Sequence, residues 1–254
     1  MPMANMIGNL KVLYLSILIM VVSGSGPLKA DSPAAPNPGK VLRAHGVALT
    51  EHAVVGALRN RDIEVRRAAA DFLTQRWPGA AVSAMEQAVL KEPDRFTRIW
   101  MAEDLFRLGD AQGRKILVSE CHDSNEHGNV RMFAATILSR EFQDDSCLAP
   151  VLDVLQADGD PNDDGAKEQA LELAPILIGR VDQNQSQRIF ELLTKSLRDP
   201  VPYLRITASI TLERLGDVRA IPMLEAAIAK ETDDGCLHVM KSSLKVLQSK
   251  TQIH

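Results

Sequence analysis

From about residue 41 onward, apolar residues recur at i, i+3, i+4 and i+7, the spacing of helices that bury one face, and no long segment alternates as a half-buried strand would. Residues 51–58, 80–90 and 187–197 each carry such a stripe, and each is followed after a short polar stretch by a second stripe, at 65–73, 99–108 and 204–215. The joining stretches align without a gap: Leu58-Arg-Asn-Arg-Asp-Ile-Glu-Val-Arg66, Leu90-Lys-Glu-Pro-Asp-Arg-Phe-Thr-Arg98 and Leu197-Arg-Asp-Pro-Val-Pro-Tyr-Leu-Arg205. Each repeat therefore reads as a helix pair with a short turn. Asn60, Asp94 and Asp199 supply short polar oxygens that accept the free amides at a helix start. Leu108-Gly109-Asp110 and Leu215-Gly216-Asp217 close the second helices, with Gly in the left-handed position and Asp capping the next helix. Pro222 then falls in a first turn, where its missing N–H costs nothing.

A basic residue marks each repeat at Arg66, Arg98, Arg131, Lys167 and Arg205, at intervals of 32, 33, 36 and 38 residues, and a degenerate sixth repeat lies around Leu237. Regular recurrence suits a stacking role, a ladder of pairs with acids or carbonyls of neighbouring turns, in which Lys167 lacks the guanidinium fork. Asp199-Pro200, Leu204-Arg205, Ala208, Leu212 and Leu215-Gly216-Asp217-Val-Arg-Ala-Ile-Pro222-Met-Leu224, with Arg66-Arg-Ala-Ala-Ala70 and Leu108-Gly-Asp110 as echoes, resemble the short HEAT repeat of the phycobilin-lyase type. The resemblance covers residues of roughly 41–248. It implies an all-α fold, an α-solenoid or superhelix of about six antiparallel helix pairs, and a scaffold for protein contacts. It says little about activity.

The first thirty residues have a different character. Lys11 precedes an apolar run from Val12 to Val22, followed by Ser23-Gly24-Ser25-Gly26 and Leu28-Lys29-Ala30. That order describes a signal peptide over 1–30, cleaved after Ala30 or Ser25, because the run is shorter than the roughly 20 residues that span a bilayer. An N-terminal membrane anchor is the alternative. Residues 31–40, with Pro33, Pro36 and Pro38, read as a Pro-rich tether, and 41–254 as the repeat domain. Export implies a periplasmic or secreted protein in an oxidising compartment, where the three cysteines Cys121, Cys147 and Cys236 are either small packing residues or include one bridge.

Composition narrows the function. Of 254 residues, 45% are hydrophobic, 24% charged and 4% aromatic, which excludes disordered and disulfide-dense classes and suits Ala- and Leu-packed helices. The net charge of −4 becomes more negative when Lys11 and Lys29 leave, and no basic stripe offers phosphate contacts, so nucleic acid is not an expected partner. No nucleophile elbow, Gly-rich phosphate loop or His-Glu-x-x-His is present, so no catalytic residue is assigned.

Two places carry candidate chemistry. The turns of repeats three and four are longer than the nonamer by five and four residues. The first inserted loop, 119–129, holds Cys121, His122, Asp123, Glu126 and His127; the second, 157–165, holds Asp158, Asp160, Asn162, Asp163 and Asp164. His122, His127, Asp158, Asp160 and Asp164 are thus a candidate divalent-cation set, although Asp163 and Gln169 stand where a calcium loop has Gly and Glu. The bland reading is a polar turn whose Asn129 or Asp164 caps a helix. The second place is the outward face of the second helices. With Arg67 and Asp71 as its register, Ile99, Phe106, Met132, Ile206 and Ile210 become apolar contact points for a partner on the concave side. The expectation is an exported, non-enzymatic scaffold that binds protein and needs no cofactor. The alternative is a metal-binding module or metal-dependent enzyme on the two loops.

Overall fold

The computed structural model describes residues 37–159 and 165–251. Among them every regular element is helical, as the spacing of apolar residues predicts. No described helix is long and apolar enough to cross a membrane. The signal-peptide segment and residues 31–36 of the expected tether lie outside the described residues.

The chain divides into two compact units at Arg76/Trp77, where the sequence reading treats 41–254 as one array. The first unit holds α1 (Pro38–Ala44), α2 (Glu51–Ala57) and α3 (Ile63–Arg76), with α1 and α2 both packed on α3. One expectation is corrected here. Residues 37–40 are not tether: Pro38 opens α1 at a position that needs no N–H, and Asn37 Oδ1 accepts from the Lys40 amide at 3.1 Å. The apolar stripe of this short helix buries Leu42 completely.

The second unit contains five helix pairs: α4 (Pro78–Val89) with α5 (Arg95–Arg107), α6 (Ala111–His122) with α7 (Gly128–Glu141), α8 (Leu148–Gln156) with α9 (Ala166–Ile178), α10 (Gln183–Ser196) with α11 (Pro202–Leu215), and α12 (Ile221–Ile228) with α13 (Asp234–Thr251). Each second helix packs on its own first helix and on the second helix of the next pair, which makes a helical-repeat, solenoid-like stack. With α2 and α3, the pairs among the described residues number six, matching the five basic marker residues and the degenerate sixth repeat around Leu237.

The caps follow the sequence at Asp94 and Asp110, whereas Asn60 and Asp199 accept the amides of Asp62 and Val201 just ahead of their helices and Val201 stands at the N-cap of α11. Asp94 Oδ1 accepts the Thr97 amide at 2.7 Å, Asp110 Oδ1 that of Gln112 at 2.6 Å and Asp182 Oδ1 that of Gln185 at 2.8 Å. Gly109 and Gly216 sit at φ +86° and +70°, the left-handed conformation their positions demand. Asp217, however, caps a short 3₁₀ turn, Val218–Ala220, that precedes α12. Asn129 does not cap α7 but lies inside it; His127 holds the cap position without a side-chain bond.

Small residues set the helix spacing. A Cβ on Gly113 of α6 would collide with the Ala102 carbonyl oxygen and come within 2.5 Å of the Phe106 nitrogen of α5. Both obstacles are backbone, so the helices themselves must separate. Gly113→Ala is therefore expected to lower the stability of the second unit by about 1–3 kcal/mol despite its better helix propensity. A urea titration against a Gly79→Ala control, where the added methyl meets nothing, checks this.

Candidate partner-binding face and inserted loops

The repeated basic residue closes the turn of its own pair. Arg66 Nη1 donates to the carbonyls of Asn60 and Arg61 at 2.9 and 3.0 Å, Arg98 Nη1 to Glu92 O at 3.3 Å, Arg131 Nε to Cys121 O at 3.2 Å and Arg205 Nη1 to Asp199 O at 2.9 Å; Lys167 Nζ donates to Ala157 O. A cation at these points meets the unsatisfied carbonyls and the negative end of the first helix. Arg98, Lys167 and Arg205 also cross to the next pair. Arg98 Nε lies 2.7 Å from Glu120, Lys167 Nζ 2.6 Å from Asp199, and Arg205 forks onto Glu231 at 2.7 and 2.9 Å. The fork holds the Glu231 carboxyl below its ordinary value and raises Arg205 further, and the two shifts agree.

Ion pairs close the first inserted loop. Arg95 reaches Glu120 at 3.1 Å, Asp123 at 3.6 Å and Glu126 at 2.6 Å. Two acids that made this loop a cation candidate therefore hold a guanidinium. His122 Nε2 lies 2.9 Å from the Ser146 carbonyl oxygen, and His127 stands at the N-cap position of α7 without a side-chain bond there. Cys121 and Cys147 form a disulfide with Cα atoms 6.0 Å apart, while Cys236 is a buried free thiol.

The second loop is described only at its ends. Asp158 pairs with Lys195 at 3.3 Å, and Gly159 N donates to Asp199 Oδ2 at 3.1 Å. Asp160, Asn162, Asp163 and Asp164 lie outside the described residues. Among the described residues no three His, Cys, Asp or Glu side chains converge as a metal set would.

On α5 and α7 the outward face starts one residue later than its expected register. Ile99 and Met132 are fully buried, so they are core and not contact points. The half-buried or exposed positions begin one residue later and repeat at helical spacing: Trp100, Glu103 and Arg107 on α5; Phe133, Thr136 and Arg140 on α7; Gln169, Glu172 and Ile176 on α9; Thr207, Ile210 and Arg214 on α11. Ile210 keeps its expected place, and Ile206 and Phe106 are half-buried beside this face. The Phe106 ring stacks on Phe142 with centroids 4.0 Å apart. Sequence reasoning missed the most concentrated feature. Phe96, Trp100 and Phe133 form a half-buried aromatic cluster across α5 and α7, with centroids 5.4–6.4 Å apart. Phe96 and Trp100, four residues apart, were the available signal.

Glu172 lies further along the face. Burial pushes its carboxyl above the ordinary 4.5, and nearby Arg140 and Arg214 draw it only partly back. The folded chain then binds this proton more tightly than the unfolded chain. Glu172 consequently costs stability as pH rises through and above the interval between its unfolded and raised values. Glu172→Gln is expected to raise the melting temperature at pH 7 and to leave it nearly unchanged at pH 4. Thermal unfolding at the two pH values measures the difference.

No family model matches the chain, and no curated protein matches it. Among solved structures it is similar to the complex of CpcE and CpcF of phycocyanin lyase from Nostoc sp. PCC7120, at 20% identity and a TM-score of 0.38, over 87% of this chain and 100% of that chain. It is also similar to an engineered protein, at 17% identity and a TM-score of 0.38, over 84% of this chain and 83% of that chain.

Proposed function

We propose that the chain is an exported, non-enzymatic helical-repeat scaffold that binds another protein through the second-helix face of α5 and α7, with Phe96, Trp100 and Phe133 as the anchor. The observation that carries this reading is the concentration of aromatic surface. The chain has two Trp, two Tyr and six Phe, and three of these ten rings meet on one half-buried patch spanning two consecutive repeats. Rigid aromatic side chains that lose little entropy on docking dominate the energetics of many interfaces. Ile206 and Ile210 extend the apolar contacts along the same face. The Cys121–Cys147 bridge supports export, because such bonds persist in oxidising compartments.

Affinity purification of the tagged protein from the exported fraction identifies the partner, and titration with the purified partner tests the face. Trp100→Ala with Phe133→Ala is expected to weaken binding about 30-fold or more, the scale of a lost hot spot, without changing the helical content. Unchanged affinity in that double variant and in Ile206→Asp sinks the proposal.

A further inference from the structure

The ion pairs between successive helix pairs follow one rule and break it once. Arg98 reaches Glu120, Lys167 reaches Asp199 and Arg205 reaches Glu231. The receiving acid stands each time at or just beyond the end of the next pair's first helix. Between the α6/α7 and α8/α9 pairs, the corresponding place is Ala157, the C-cap of α8, which carries no carboxylate. Arg131 closes its own turn on Cys121 O and, among the described residues, makes no ion pair across to the next pair. The disulfide crosses this same junction. Cys121 lies in the last turn of α6, and Cys147 is the N-cap of α8. Cys121 thus offers its carbonyl to Arg131 and its sulfur to the bridge. Both cysteines are buried, at 0% and 1% exposure, so the bond sits inside the junction. Other polar ties there are Arg114 to Asp144 and His122 to the Ser146 carbonyl, each exposed on at least one side and weakly held, and Arg180, which donates to the Ser139 carbonyl at 2.6 Å and lies 3.4 Å from Asp145.

We propose that the Cys121–Cys147 disulfide takes the place of the missing cross-repeat ion pair, which makes this junction the one in the second unit whose cohesion depends on thiol oxidation. A dithiol reductant reverses it: the S–S bond breaks, two protons and two electrons from the dithiol leave both cysteines as thiols, and the reductant closes to its own disulfide. The reduced junction then has neither the bridge nor a rung pair from Arg131, and keeps only the ties of Arg114, His122 and Arg180. It opens first, and it frees the first inserted loop together with α8.

Hydrogen exchange by mass spectrometry on the full chain tests this. In Cys121→Ser with Cys147→Ser, amides in the last turn of α6 and in α8 are expected to exchange at least tenfold faster, with α10 to α13 unchanged. Adding Ala157→Glu, which restores an acid at the rung position, is expected to recover at least threefold of that loss. A second arm keeps the disulfide and remains informative if the cysteine variant does not fold. There Arg205→Gln loosens its junction at least tenfold, and Arg131→Gln changes exchange less than threefold. Uniform acceleration from α4 to α13, no recovery with Ala157→Glu, or an Arg131→Gln effect as large as that of Arg205→Gln overturns the proposal.

Discussion

Asp199→Ala is expected to destabilise the second unit by about 3–5 kcal/mol, the scale for removing one partner of a buried ion pair. Asp199 is 4% exposed and Lys167 is 3% exposed. The carboxylate accepts from Lys167 Nζ at 2.6 Å, from the Gly159 amide at 3.1 Å and from the Val201 amide at 3.0 Å. Truncation takes the carboxylate away from an ammonium group that is held out of water and also donates to the Ala157 carbonyl, and it strands two amides as well. Lys167→Met in the same chain removes the orphaned charge, so the double variant should regain a large part of the loss. Urea unfolding of the two variants decides the matter; equal midpoints for single and double variants would mean that the buried charge is not the source of the cost.

Loss of the disulfide should have an effect of similar size. Its cysteines are 26 residues apart. Closing a loop of that length removes enough freedom from the unfolded chain to stabilise the fold by about 3.5 kcal/mol in the chain-entropy account. The pair Cys121→Ser and Cys147→Ser should therefore lower the guanidinium midpoint substantially relative to the oxidised chain. Cys236 supplies an internal control. Burial first, and then its bond to Asp233, push its thiol up to about 11, so it stays protonated and unreactive. Alkylation of the folded oxidised chain is expected to label no cysteine, and a reagent count by mass spectrometry checks this.

The pair architecture was legible in the sequence because its signals are local. Apolar spacing, the Gly109 and Gly216 stops and the Asp94 and Asp110 caps each act within one or two turns. The outward face was legible only in part, because neighbouring helices set its register. Ile99 follows Arg98 as Ile206 follows Arg205, yet Ile99 is fully buried and Ile206 is only half-buried, and no local rule distinguishes them. The first inserted loop was legible only in part for a related reason. Asp123 and Glu126 look like free ligands in the sequence, and their partner Arg95 lies 28 and 31 residues earlier. The disulfide is of the same kind, since its two cysteines meet only when the turns of successive repeats are brought together. Pro38 shows the opposite error: a residue that cannot continue a helix was read as excluding one, although it can begin one.

The basic residues that close each turn also give the stack a direction. The ion pairs that the repeated basic residues make across the stack run from the cation to an acid in the pair that follows it in the chain. Peeling the stack from its two ends is therefore not equivalent. Removing α12 and α13 leaves the Arg205 guanidinium, 14% exposed, without its acid, and arginine cannot shed its charge. Removing α4 and α5 leaves the Glu120 carboxylate, which can take up a proton and become neutral. Near neutral pH a retreat from the C-terminal side strands a permanent charge at the Arg205 and Arg98 junctions, whereas mild acid relieves a retreat from the other side, so the array has a grain along which it comes apart.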